Sequence, residues 1–130
     1  EERLAQPGGN VDYERFLQEV LLPLTRQETV CYRPWRCRMG AFDDPVTVPP
    51  CPLVVVEGSY SLRPDLREHY HLRVWVEAPM EERLERLAQR GGPGCLERFR
   101  TMWIPLENRY FDACQVKECC QLFLSGSKEH

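Results

Sequence analysis

Pro52-Leu53-Val54-Val55-Val56-Glu57-Gly58-Ser59-Tyr60 is the stretch on which a reading of this chain turns. Four apolar residues, three of them β-branched, run without alternation into an acid and then a glycine. An unbroken apolar run of this length suits a strand buried on both faces, as in the centre of a parallel sheet covered by helices. Glu57 then falls where such a strand ends. Ligands of open α/β sheets bind just outside the carboxyl ends of the strands. A carboxylate there suits a metal-bound phosphate, and Gly58 lets the backbone turn sharply beside it. The competing reading of Glu57 is an acid that caps the next turn.

Composition bounds what surrounds this stretch. The chain has 130 residues, one domain at most, with 42% hydrophobic and 28% charged residues, as in a soluble globular protein. A formal net charge of −3 argues against a protein that coats nucleic acid. Of the 17 basic residues 15 are Arg; only Lys117 and Lys128 are Lys. Arg grips phosphate or carboxylate in a bidentate fork, so the bias favours an anionic ligand, although a GC-rich genome gives the same bias. The seven cysteines are odd in number, contain no C-x-x-C pair and include the adjacent Cys119 and Cys120. They read as reduced thiols of a cytoplasmic protein rather than as staples or zinc ligands. No apolar run approaches the roughly 20 residues of a membrane span.

Upstream, Pro7-Gly8-Gly9-Asn10 is a turn, and Asp12 is a candidate N-cap. Tyr13, Phe16, Leu17, Val20, Leu21 and Leu24 follow on one helical face, with Pro23 expected to mark the helix end. Residues 29–50 read as a hairpin excursion: a short β-type run at Thr29–Tyr32, the segment Tyr32-Arg-Pro-Trp-Arg-Cys-Arg38, and a second strand at Val46–Val48. Tyr32 and Trp35 beside Arg33, Arg36 and Arg38 would suit a base and a phosphate; the alternative is a surface hairpin whose aromatics pack on the body.

Downstream, residues 61–70 predict one or two helical turns, and His71–Glu77 a second strand. Pro79 opens a helix that Gly91-Gly92 is expected to stop. Arg83, Arg86 and Arg90 share one of its faces at i, i+3 and i+7. Like charges so spaced repel by a few tenths of a kcal/mol per pair. Such a face is either solvated or a lid over residues 79–100 that clamps phosphates. Leu96, Phe99, Trp103, Leu106 and Tyr110 continue a helical rhythm that Pro105 should kink. Cys119–Leu124 reads as a last strand.

The order of Y-R-P-W-R-C-R, V-V-V-E-G-S-Y, L-R-V-W-V and E-R-L-E-R-L-A-Q-R resembles the uridine kinase and phosphoribulokinase group of P-loop kinases. The resemblance runs from about Gly8 to Leu124. It implies an α/β fold of the P-loop NTPase, nucleoside-kinase type, ATP and Mg2+ as cofactors, and a nucleoside such as uridine as acceptor. By it, Glu57 corresponds to the acid associated with magnesium and the reacting centre. Arg83, Arg86 and Arg90 correspond to lid arginines on the donor phosphates. Tyr32, Trp35 and Arg38 fall at the acceptor. Uridine kinases carry an aromatic and a His downstream of that Tyr, where this chain has Pro34 and Cys37; pantothenate and a sugar phosphate are the alternative acceptors.

P-loop kinases also need G-x-x-x-x-G-K-[ST] to hold the β- and γ-phosphates. No Lys precedes Lys117, so that loop is not in these residues. The expectation is therefore part of a longer kinase, inactive by itself and prone to self-association through open sheet edges. A non-catalytic module of the same fold is the reading from another class.

Overall fold

The structure is a computed structural model that describes residues 5–37 and 39–127. The chain divides into two compact units, residues 11–61 and residues 1–10 with 62–130.

In the first unit, Asp12 caps the opening helix α1 (Tyr13–Phe16) by accepting from the Arg15 amide at 3.4 Å, as its sequence position predicts. A π-helical turn, Leu17–Leu21, follows, and α2 (Leu22–Thr25) completes the rod. Pro23 does not end the helix. It sits in the first turn after the π segment, where Leu22 N–H reaches back to the Leu17 carbonyl. The widened turn accommodates a ring that would clash with a regular i−4 carbonyl. The rod ends at Gln27, whose φ of 56° is left-handed, with Glu28 N–H on the Pro23 carbonyl at 2.9 Å and Gln27 N–H on that of Leu24 at 3.0 Å. These are the two bonds of a Schellman stop, made without its usual glycine.

The hairpin excursion forms as two nested antiparallel pairs. β1 (Val30–Tyr32) pairs with β4 (Val46–Val48), and inside it β2 (Trp35–Arg36) pairs with β3 (Ala41–Phe42). Val30 and Leu21, 2% and 3% exposed, are the buried apolar residues of this unit.

The Leu53–Val56 run is not a buried strand here. No residue from 52 to 60 belongs to a ladder, and Leu53, Val54 and Val55 are 76%, 44% and 79% exposed. A strand is buried on both faces only where neighbours pair with both its edges and helices cover it; among the described residues nothing pairs with this one. Gly58, at φ 146°, does make the predicted turn, in a region that side chains rarely enter, with open space around its missing Cβ.

The second unit has a single-turn helix α3 (Pro64–Arg67), then β5 (Val74–Glu77), the helix α4 (Met80–Arg98), a second π segment (Phe99–Trp103), α5 (Ile104–Ala113) and β6 (Leu122–Ser125). β6 lies parallel to β5, Val74 opposite Leu122 and Glu77 opposite Ser125. The helix does not stop at Gly91-Gly92; it continues to Arg98. The glycines lower its propensity without meeting a capping geometry there. Pro105 repeats the device at Pro23: a π turn in which Ile104 N–H reaches the Phe99 carbonyl stands before an apolar-Pro-Leu triplet. Its helix also ends on a glutamine, Gln115 at φ 48°, with Val116 N–H on the Phe111 carbonyl at 3.0 Å. The last strand starts at Leu122, because residues 114–119 are spent on that stop and the turn after it.

Tyr110, Leu66, Val116, Cys120 and Leu62 form this unit's buried centre, Tyr110 being wholly inaccessible. Gly8 packs so closely that an added Cβ would lie 3.0 Å from the Tyr110 ring. What the described residues show is helices and three two-stranded sheets, one of them parallel. A continuous sheet of kinase type is not among them.

Candidate functional site

Each unit carries part of the predicted site. In residues 11–61 the hairpin tip places Trp35 directly across the ladder from Phe42. Their rings meet edge to face, with centroids 4.9 Å apart and planes at 72°, a geometry favoured by the ring quadrupoles. Trp35 remains 51% and Phe42 46% exposed. The guanidinium carbon of Arg15 lies 4.4 Å from the Phe42 centroid and that of Arg33 lies 5.8 Å away. Both are within cation–π range.

These charges are held by acids and carbonyls. Arg15 bridges Glu19 through two bonds of 2.7 and 2.8 Å and reaches the Arg33 carbonyl at 2.6 Å. The bond to Glu19 pushes the Arg15 pKa further up. Arg33 donates to the Asp43 carbonyl at 2.8 Å and Arg36 to the Asp43 carboxylate at 2.6 Å. The result is an exposed aromatic step edged by oriented guanidiniums, which can stack a flat ring and accept a nearby anion. Tyr32 stands on β1 opposite Val46. Arg38 lies outside the described residues. Sequence reasoning missed Arg15 and Phe42; only the register that sets Trp35 across from Phe42 could have found the latter.

Residue Glu57 is exposed at the end of its unpaired run. Among the described residues no group of three or more His, Cys, Asp or Glu side chains is disposed to hold a metal. A single carboxylate is compatible with Mg2+ only where water and substrate phosphates supply its other ligands.

In the second unit the arginine helix starts three residues beyond Glu77, the last residue of β5. Arg83 donates to Glu107 of α5 at 2.7 Å. Arg86 donates to Glu82 at 3.0 Å and to the Gly126 carbonyl at 2.7 Å. Gly126 in turn donates to the Glu77 carbonyl at 2.8 Å, extending the parallel ladder by one bond. Arg90 is exposed further along the helix. Two of the three predicted clamps therefore already tie the helix to its neighbours.

Beside them Glu77 meets Lys117 at 2.8 Å, and that ammonium holds the carboxyl below the usual carboxylate range. Lys117 also lies 5.7 Å over the Trp75 ring, which stacks edge-on to Phe111. The signal for Glu77 was present in the sequence: Val74-Trp75-Val76-Glu77 repeats the apolar-apolar-apolar-acid pattern of Val54–Glu57.

No protein-family model and no curated protein matches this chain.

A shallow groove of about 330 Å3 between Leu24, Pro50, Pro52 and Val54 contains none of these residues. All seven cysteines are free thiols. Among the described residues no helix is long and apolar enough to cross a membrane.

Proposed function

We propose that this chain is part of an ATP- and Mg2+-dependent phosphotransferase, uridine kinase-like, whose acceptor is a nucleoside. The observation that carries the reading is the start of α4 immediately past the carboxyl end of β5, one of two parallel strands. That position is where ligands of α/β sheets bind; Arg83 stands in the first turn of the helix there, with Arg86 and Arg90 further along it.

In this reading Arg90 is the guanidinium ready for a phosphate. Arg83 and Arg86 position the helix and exchange Glu107 and Glu82 for phosphate oxygens when nucleotide arrives. By the resemblance, Glu57 is the acid associated with magnesium. Trp35 stacks the acceptor base, with Tyr32 and Arg38 on the same excursion. Phosphoryl transfer is mostly positioning and charge neutralisation, so these roles need no covalent chemistry of the protein. The reading assigns the parent enzyme to the cytoplasm, and open sheet edges favour a homo-oligomer.

The test is ADP release by the full-length gene product with ATP, Mg2+ and a panel of uridine, cytidine, pantothenate and a sugar phosphate. Uridine-dependent release that falls at least tenfold in Arg90→Ala, about 1.4 kcal/mol of transition-state stabilisation, is the expected result. Release with no acceptor on the panel would overturn the reading.

A second reading, a non-catalytic binding module, is favoured by the intramolecular partners of Arg83 and Arg86 and by the lack of a Lys before Lys117. Nucleotide binding without turnover in the same assay would select it.

A further inference from the structure

The turn between α5 and β6 carries two adjacent thiols on a fixed backbone. The Cys119 and Cys120 S–H groups both donate to one oxygen, the Val116 carbonyl, at 3.1 and 3.2 Å. The peptide linking them is held from outside: Arg73 Nε donates to the Cys119 carbonyl at 2.8 Å. Cys119 N–H bonds to the Gln115 carbonyl and Cys120 N–H to that of Lys117, each at 3.2 Å. On the far side, Gln121 N–H bonds to the Arg73 carbonyl at 3.0 Å. Cys120 is buried, whereas Cys119 is partly exposed and gives access.

We propose that Cys119 and Cys120 form a two-thiol site for thiophilic trivalent arsenicals. An aryl arsenoxide, R–As=O, condenses with both thiols. The two S–H bonds and the As=O bond break, two As–S bonds form, and the two protons leave with the oxygen as one water. Nothing is oxidised or reduced. The thiols surrender a single shared acceptor, the Val116 carbonyl, and Arg73 holds the peptide between them. Hard cations gain little from two soft sulfurs, and zinc requires four ligands in a tetrahedral set, whereas among the described residues no group of three or more His, Cys, Asp or Glu is disposed to hold a metal. The exposed Cys31, Cys37 and Cys51 offer sites for single As–S bonds, which excess monothiol displaces. Closing the second bond within one chain raises retention through effective concentration, by about a hundredfold.

The experiment is phenylarsine oxide added to the reduced 130-residue chain, a wash with excess 2-mercaptoethanol, then intact mass and peptide mapping. A single retained adduct on the peptide containing Cys119 and Cys120, released by 2,3-dimercaptopropanol, is expected. Cys119→Ser should lower retention after the wash by about a hundredfold, while Cys31→Ser leaves it unchanged. An adduct mapped elsewhere, no adduct after the wash, or undiminished retention in Cys119→Ser overturns the proposal. Mapping on the unaltered chain decides the matter even if Cys120→Ser, at a buried position, does not fold.

Discussion

Arg83 Nη2 lies 2.7 Å from Glu107 Oε2, and this pair joins the arginine helix to the helix that follows the second π turn. Both side chains are partly shielded, at 35% and 17% exposure. A charge-assisted bond in that setting is stronger than a solvated surface pair. In a double-mutant cycle with Arg83→Ala and Glu107→Gln, urea unfolding should yield a coupling of about 0.5–1 kcal/mol. Additive effects would mean that the pair does not persist in solution.

Both helical rods stop on a glutamine in left-handed backbone, Gln27 and Gln115. A side chain there is strained where glycine is not. Gln115→Gly and Gln27→Gly should each raise stability by about 0.5–1 kcal/mol, read as an increase in the urea midpoint at unchanged slope. A decrease would show that the glutamine side chains supply contacts worth more than the strain.

Lys117 lowers the Glu77 pKa, so the sign of the pH effect is fixed. The pair's contribution is fully present above the ordinary carboxylate value and is lost as pH falls through the lower folded value. NMR titration should place the Glu77 midpoint below that of a free glutamate, and Lys117→Met should return it upward. The unfolding midpoints of wild type and Lys117→Met should converge in acid and separate toward neutral pH. Parallel curves across that range would contradict the pairing.

The π turns before Pro23 and Pro105 predict what happens when the ring is removed. Pro105→Ala supplies an amide hydrogen and removes the clash with the preceding turn. Helical ellipticity should rise, and the new amide at 105 should be protected from exchange as the π turn relaxes to α. An unprotected amide would mean that packing, and not the proline, sets the wide turn.

Local signals carried through to structure where they concern neighbours in the chain. The Asp12 cap, the hairpin strands, the Pro64 turn and the Val74–Glu77 strand all depend on contacts within a few residues or across one tight excursion. The failures share a cause. Leu53–Val56 has the composition of a central strand, but composition does not supply the strands that must flank it. The Gly91-Gly92 pair reads as a stop, yet a stop requires a carbonyl-capping turn that the next residues do not make. The site was legible as residue types and not as partners: Arg83 and Arg86 stand out by spacing, whereas Glu107 and the Gly126 carbonyl that hold them are distant in sequence.

The exposed Leu53–Val55 run has a consequence for the chain in solution. Three large exposed apolar side chains, with N–H and C=O groups unclaimed by any ladder among the described residues, meet the requirements for stacking chain upon chain in a fibril. Glu57 closes the run and works as a gatekeeper, since like charges piled in register repel. Raising salt weakens that brake, and turbidity should then appear at concentrations where the chain is otherwise clear.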